Sequence, residues 1–437
     1  MTPTPKFIGL SPIILSVLLV VVSGVVSQDF NTMPILVSLL LSSAYAFSLN
    51  PQSNKLNIAQ KIDIFCVSAG NKNIILLAII FLLAGAFYSL TIEIGARDAT
   101  VNWALQYIPS QFLLPGLFII SSFIAFSMGT SMGTIMAITP VGIGLADSLS
   151  FSAPLAAGIV IGGAMFGDNL SFVSDTTIAA TKTQGVKLID KFKANILIVT
   201  PAAAVTILLL LLIDIPDTSN ITLHTYNLWL VIPYFLVIFA ALIGLNVMAV
   251  LGLGILSASL IGLIKGQFDI EGLLSTLQTG MGWMQNLAII ALTIGGIIGL
   301  MRAYGGMEWL MQTLTKRIRS KKSAEFSIAS LASCMDIATS NNTIAIVSSG
   351  TIAKEISTKY NVDPRRSASI LDIFSCGFQG LVPYGGQLLT AAVMCNVSPV
   401  ALIKYCWYPA LILVFGVLAI ASGLPKFKSL DDKSKRI

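Results

Sequence analysis

Apolar runs of about 20 residues recur along this chain, at 8–27, 73–92, 193–213, 228–245 and 404–423. Each is close to the length that spans a hydrocarbon core. With no water at that depth, a single segment satisfies its backbone amides only as a helix. Composition agrees: 55% of residues are hydrophobic and 11% charged, against roughly 25% charged in soluble domains. The sequence reads as an all-α polytopic membrane protein whose partner is the lipid bilayer, with no soluble domain longer than a loop. The first run follows Lys6, is too long for a signal-peptide core and lacks an Ala-x-Ala cleavage site. It is therefore expected to be the first helix. The net charge of +6 fits a positive-inside bias rather than a nucleic-acid partner.

The basic residues order the crossings. From a cytoplasmic Lys6, crossings are expected at 8–27, 34–49 and 73–96, with residues 111–149 leaving and returning to one side. A crossing at 154–181 leads to a basic loop of Lys182, Lys187, Lys191 and Lys193. Crossings follow at 194–213, 228–245, 247–264 and 282–301; residues 323–353 again leave and return; crossings at 367–396 and 405–423 complete the path. All but Arg97, Lys265 and Lys404 of the 26 Lys and Arg residues then face the cytoplasm, as do both termini. The location expected is a bacterial cytoplasmic (inner) membrane.

Residues 323–353 are too few for two spans of about 20 residues, and their centre, Asp336-Ile-Ala-Thr-Ser-Asn-Asn-Thr343, is unsuited to lipid. Polar non-helical backbone persists at depth only where protein or a water-filled cavity covers it, which suggests a re-entrant hairpin. Residues 111–149 share the plan, with a polar tip at Ser127–Thr134, but have room for two short spans.

The halves then correspond. Each has five transmembrane helices plus one re-entrant hairpin, and each contains an interrupted helix. The first repeat is expected at 1–213 (hairpin 111–149, interrupted helix 154–181). An external linker covers 214–227, and the second repeat covers 228–437 (hairpin 323–353, interrupted helix 367–396). The tip ending at Thr134 precedes Asp168 by 34 residues, and the tip ending at Thr343 precedes Gln379 by 36. Five crossings per half put the repeats in opposite orientation. Inverted repeats with paired broken helices are the signature of secondary transporters, with the site where the breaks meet.

The first break, Phe166-Gly-Asp-Asn-Leu-Ser-Phe-Val-Ser-Asp-Thr-Thr177, carries the charge. Intramembrane carboxylates cost several kcal/mol and mark functional sites. Asp168, Asn169, Ser171, Ser174, Asp175 and Thr176 are candidate ligands for a hard monovalent cation. Ser131, Thr134, Asn341, Asn342, Thr343, Gln379 and Tyr384 are candidates for the substrate or ion pathway. Burial favours a carboxylate's protonated form and a bound cation its ionised form, so one group can hold either ion alternately. Structural alternatives stand beside these: either Asp can pair with Asn or Lys182 across a helix contact, and Asp175 can cap the following half-helix. Asp336 reads equally as a cap and Asp372 as a core residue. His224 lies in a polar loop, and the five cysteines lack metal-ligand spacing. Gly295-x-x-x-Gly299 fits close helix packing.

The segment Gly167-Asp-Asn-Leu-Ser-Phe-Val-Ser-Asp-Thr-Thr177 resembles the motif Gly-Asp-Lys-Met-Ser-Pro-Leu-Ser-Asp-Thr-Thr of the NhaC-type sodium/proton antiporter family. The matching positions are Gly167, Asp168, Ser171, Ser174, Asp175, Thr176 and Thr177. Asn169 stands where that motif has Lys, a change of one charge unit, and Phe172 stands where it has Pro. The resemblance implies a two-repeat ion-transporter fold, often a homodimer, that works by an elevator-like motion. It implies a non-enzymatic Na+/H+ antiporter that exchanges cytoplasmic sodium for external protons, with no cofactor besides its cargo. The alternative is a Na+- or H+-coupled transporter or exchanger of a small organic acid or amino acid, which the amide-rich second half suits.

Overall fold

Segments this apolar can bury their backbone only by coiling, and among the described residues all regular structure is helical, with no strand. The computed structural model describes residues 3–27, 32–51, 55–172, 174–214, 227–243, 245–316, 318–425 and 427. His224, most of the 214–227 linker, Arg317 and the basic tail from Lys428 onward lie outside the described residues. The first half runs α1 (Ser11–Ser27), α2 (Ile35–Ser48), α3 (Ile58–Ala69), α4 (Lys72–Glu93) and α5 (Ala96–Tyr107). It continues with α6 (Ser110–Met128), α7 (Ser131–Leu149), α8 (Ala153–Leu170), α9 (Asp175–Gln184) and α10 (Leu188–Leu211). The second half runs α11 (Ile232–Leu242), α12 (Val247–Ile264), α13 (Ile270–Ala303), α14 (Gly306–Thr315) and α15 (Lys321–Thr339). It ends with α16 (Asn342–Lys359), α17 (Pro364–Gln379), α18 (Gly386–Cys395), α19 (Pro399–Ile403) and α20 (Trp407–Ser422).

Eight helical stretches among these residues are long and apolar enough to cross a membrane, from Phe7–Ser27 to Ile270–Ala303. Both arms of the 111–149 segment qualify, as Gln111–Met128 and Ser131–Leu149. The expected crossings at 282–301 and 73–96 prove longer or differently bounded. α13 starts at Ile270, at least a full turn beyond its apolar window. Before α4 the chain forms α3, with a capping box of Asn57 and Gln60. At 1.5 Å per residue α13 is about 51 Å long, well beyond the ~30 Å hydrocarbon core.

Helices α4 and α13 make the most extensive contact between the halves, and glycine is what lets them close. A Cβ on Gly85 would lie 2.1 Å from the Gly280 carbonyl oxygen, and one on Gly280 2.2 Å from that of Gly85. The Ser89 hydroxyl donates to the Thr276 carbonyl at 2.9 Å beside the crossing. In a bilayer such small-residue contacts supply the association energy that water exclusion cannot. Gly295 and Gly299 act the same way, leaving room for Ile74 and Ser68 respectively.

The interrupted helices interlock the halves. α9 packs against α16 and α17, whereas α18 packs against α7 and α8. Gln184 at the end of α9 donates to the Gly350 carbonyl at 2.8 Å and accepts from Ser367 at 2.9 Å. A buried ion pair, Arg366 to Glu325 at 2.7 Å, ties α17 to α15.

Candidate functional site

Two helices stop in the interior. α8 ends at Leu170, where Ser171 turns extended (φ −63, ψ 139), and α9 restarts at Asp175 after an extended Ser174. α17 ends at Gln379, and α18 restarts at Gly386 after Gly385. Neither Ser174 nor Gly385 caps the new helix with its side chain. The first amides of both half-helices therefore lack the usual local acceptor and favour water or a ligand.

Two helix–turn–helix tips face these breaks, and they turn alike. α6 ends on Gly129 in the left-handed region (φ 67), and α15 ends on Ser340 in the same region (φ 52). The following residue is extended and caps the second arm. The Thr130 hydroxyl accepts from Gly133 N at 3.5 Å, and Asn341 Oδ1 accepts from Ile344 N at 2.9 Å.

All four pieces meet around one cavity of about 140 Å3, enough for a few waters at about 30 Å3 each. The first break contributes Asp168, Ser174, Asp175 and Thr176, and the second Gln379 and Gln387. The tips contribute Thr130 and Ser131 on one side and Ser340–Thr343 on the other, while Leu77 and Ile80 of α4 form an apolar wall. Asp168 is buried and Asp175 exposed. The hydroxyls of Ser174 and Ser131 interact with the Asp168 carboxylate, yet its Oδ1 has no protein partner. Across the cavity Gln379 Nε2 donates to Gln387 Oε1 at 2.6 Å and to the Ser340 carbonyl at 3.2 Å. Gln387 in turn donates to Ser131 at 3.4 Å. Gln379 Oε1 is unpartnered. Free buried oxygens opposite a set of hydroxyls suit a hard cation.

The structure thus brings Asp168, Ser174, Asp175, Thr176, Ser131, Asn341, Asn342, Thr343 and Gln379 to a common cavity. It sets four other expected residues apart from that wall. Asn169 is buried behind it, donating to the Tyr408 hydroxyl at 3.1 Å. Ser171 is also buried. Thr134 is fully buried and bonds back to the Thr130 carbonyl at 3.1 Å. Tyr384 lines a smaller neighbouring chamber that shares Ser340 and Asn341, and its hydroxyl donates to the Ile337 carbonyl at 2.7 Å.

One sequence expectation is corrected. Lys191 is not a solvated loop lysine: it sits in the first turn of α10, its side chain 1% exposed, paired at 2.8 Å with Asp372 of α17, itself fully buried. Desolvating two charges costs several kcal/mol each unless every hydrogen-bonding group is met. Lys191 meets that condition, since its three N–H groups have three acceptors: Asp372 Oδ2, the Asn169 carbonyl at 2.8 Å and the Thr177 hydroxyl at 2.7 Å. Asn195, one turn on, bridges the same Asn169 carbonyl (2.9 Å) and Asp372 Oδ2 (2.7 Å). The signal was present in the sequence, where Lys191 and Asn195 fall at i and i+4 on an otherwise apolar stripe. Asp336 of α15 is also fully buried, and both its carboxyl oxygens lack a protein partner.

Comparison with known proteins accounts for nearly the whole chain. A family profile described as "Na+/H+ antiporter family" matches residues 5–215 and 217–424. The Na+/H+ antiporter NhaC of Alkalihalophilus pseudofirmus is 23% identical, over 98% of both chains. NhaC of Bacillus subtilis is 26% identical over 82% of this chain and 85% of that protein. The malate-2H+/Na+-lactate antiporter of Bacillus subtilis is 24% identical over 75% of this chain and 77% of that protein.

Proposed function

This chain belongs to the Na+/H+ antiporter family, and from that premise we propose that sodium and protons alternate on Asp168. The chain is a multi-pass membrane transporter. The observation that carries the assignment is Asp168 itself, the buried carboxylate in the cavity wall, with one oxygen free and two hydroxyls beside it. A sodium ion there would draw its remaining oxygens from Ser174, Ser131 and the amide side chains opposite, and protonation of Asp168 would release it. Asp175, exposed at the same cavity, serves as the attracting charge at its mouth.

The tips of both hairpins line the same cavity as the two breaks, which supports reading 111–149 and 323–353 as re-entrant. On that reading the halves are inverted repeats, both termini are cytoplasmic, and the α4–α13 crossing is the fixed part against which the breaks move. Two copies would pair as a homodimer.

A second reading keeps sodium and adds an organic cargo. The neutral wall of Gln379, Gln387, Asn341 and Asn342 favours it, since amides satisfy a small carboxylate as well as an ion, and a malate/lactate exchanger is among the relatives.

The test is reconstitution into proteoliposomes with an internal pH dye. A sodium or lithium pulse should move protons in the wild type, whereas D168N should leave the dye unchanged. A wild type that gives no proton movement, together with gradient-dependent uptake of labelled malate or lactate, would select the second reading.

A further inference from the structure

The break at Asp168 is not left to its own residues. A fixed positive charge comes to it from another helix, and it enters through backbone. The carbonyl of Asn169, the penultimate residue of α8, would be free at an interrupted helix end and available to a cation. Here the Lys191 ammonium (2.8 Å) and the Asn195 amide (2.9 Å) occupy it. The same ammonium reaches Thr177 in the first turn of α9 at 2.7 Å, so one charge spans both sides of the break. It ends on Asp372 of α17, the helix that leads into the other break.

We propose that Lys191 is a positioning residue, the fixed cation of the first break. Delivered from α10, it holds α8, α9 and α17 in register and keeps the Asn169 carbonyl and Asp372 away from the transported cation. The inference rests on the reading of Asp168 as the cargo carboxylate, because it explains why cargo is confined to that side of the break. The NhaC-type motif places its lysine at position 169 itself, where this chain has asparagine. This chain instead brings an ammonium to the carbonyl of that same residue from α10. Asn169 Nδ2 itself points to the Tyr408 hydroxyl at 3.1 Å.

The experiment compares wild type, K191Q, N169K and K191Q/N169K, purified as full-length protein and read in two ways: thermal unfolding in detergent and sodium-driven proton movement in proteoliposomes. K191Q strands Asp372 and should lower the maximal rate by about tenfold or more. N169K alone places two ammonium groups at one break and should raise the sodium concentration for half-maximal rate by about tenfold. The double variant should recover melting temperature, and both kinetic parameters should return to within about threefold of wild type. A lysine that merely fills space at 191 cannot be rescued from 169, so a double variant no better than K191Q overturns the proposal. If K191Q does not fold, folding restored by N169K supports the proposal and folding not restored overturns it. Failure of the Asp168 assignment is seen separately, as a wild type that moves no protons while the melting-temperature rescue still reports on Lys191.

Discussion

The two broken helices share a backbone plan and divide the chemistry between them. Each stops in the interior, restarts without a side-chain cap, and faces a tip that turns on a left-handed residue, Gly129 or Ser340. The first break, 171–174, carries Asp168 and Asp175 beside it; the second, 380–385, is flanked by Gln379 and Gln387. One side of the cavity therefore supplies charge and the other supplies neutral oxygens and amides. The lesson is that two breaks with one backbone plan need not carry the same ligands. Two carboxylate-bearing breaks facing one cavity would repel, and a single buried anion suffices for a monovalent ion.

The most direct way to break this division is D168N, which removes the buried anion. The loss should be about 2–5 kcal/mol of cation binding, upward of thirtyfold, read as sodium half-saturation in proteoliposomes. Q379L attacks the neutral side. It leaves Gln387 Oε1 and the Ser340 carbonyl without their donor, which should cost about 1–3 kcal/mol. Faster amide exchange at residues 340–343 and a modestly weaker sodium response would show it. G129S tests whether the tips are equivalent, since it imposes Ser340's residue on the first turn. A non-glycine left-handed residue costs roughly 1–2 kcal/mol, so a lower melting temperature with transport retained is expected. D175N should have the smallest effect. An exposed charge contributes about 0–1 kcal/mol and is screened by salt, so its sodium response should shift only at low ionic strength.

Much of this arrangement was legible in the sequence because bilayer physics leaves few options. Polar clusters inside apolar stretches located both breaks and both tips. What the sequence concealed is equally physical. Counting every lysine as a solvated loop charge hid Lys191, whose burial depends on Asp372 nearly two hundred positions away in another helix. Asn169 and Ser171 looked like ligands because they fall in the break. A break has two faces, though, and only tertiary contacts show that these two residues turn from the cavity. The length of α13 escaped because Glu271, Ser275, Thr276, Gln278 and Thr279 dilute the apolar signal of its first turns without interrupting the helix.

The central claim is that sodium and protons compete for Asp168, and the pH dependence of sodium binding to the purified protein tests it most directly. Acidification protonates the carboxylate, so the wild-type Kd for sodium should rise by about tenfold per unit of falling pH once that proton is bound, and D168N should show no pH-linked sodium binding. A wild-type Kd that stays constant across the same range, or a D168N protein that keeps both the affinity and the slope, would contradict the account.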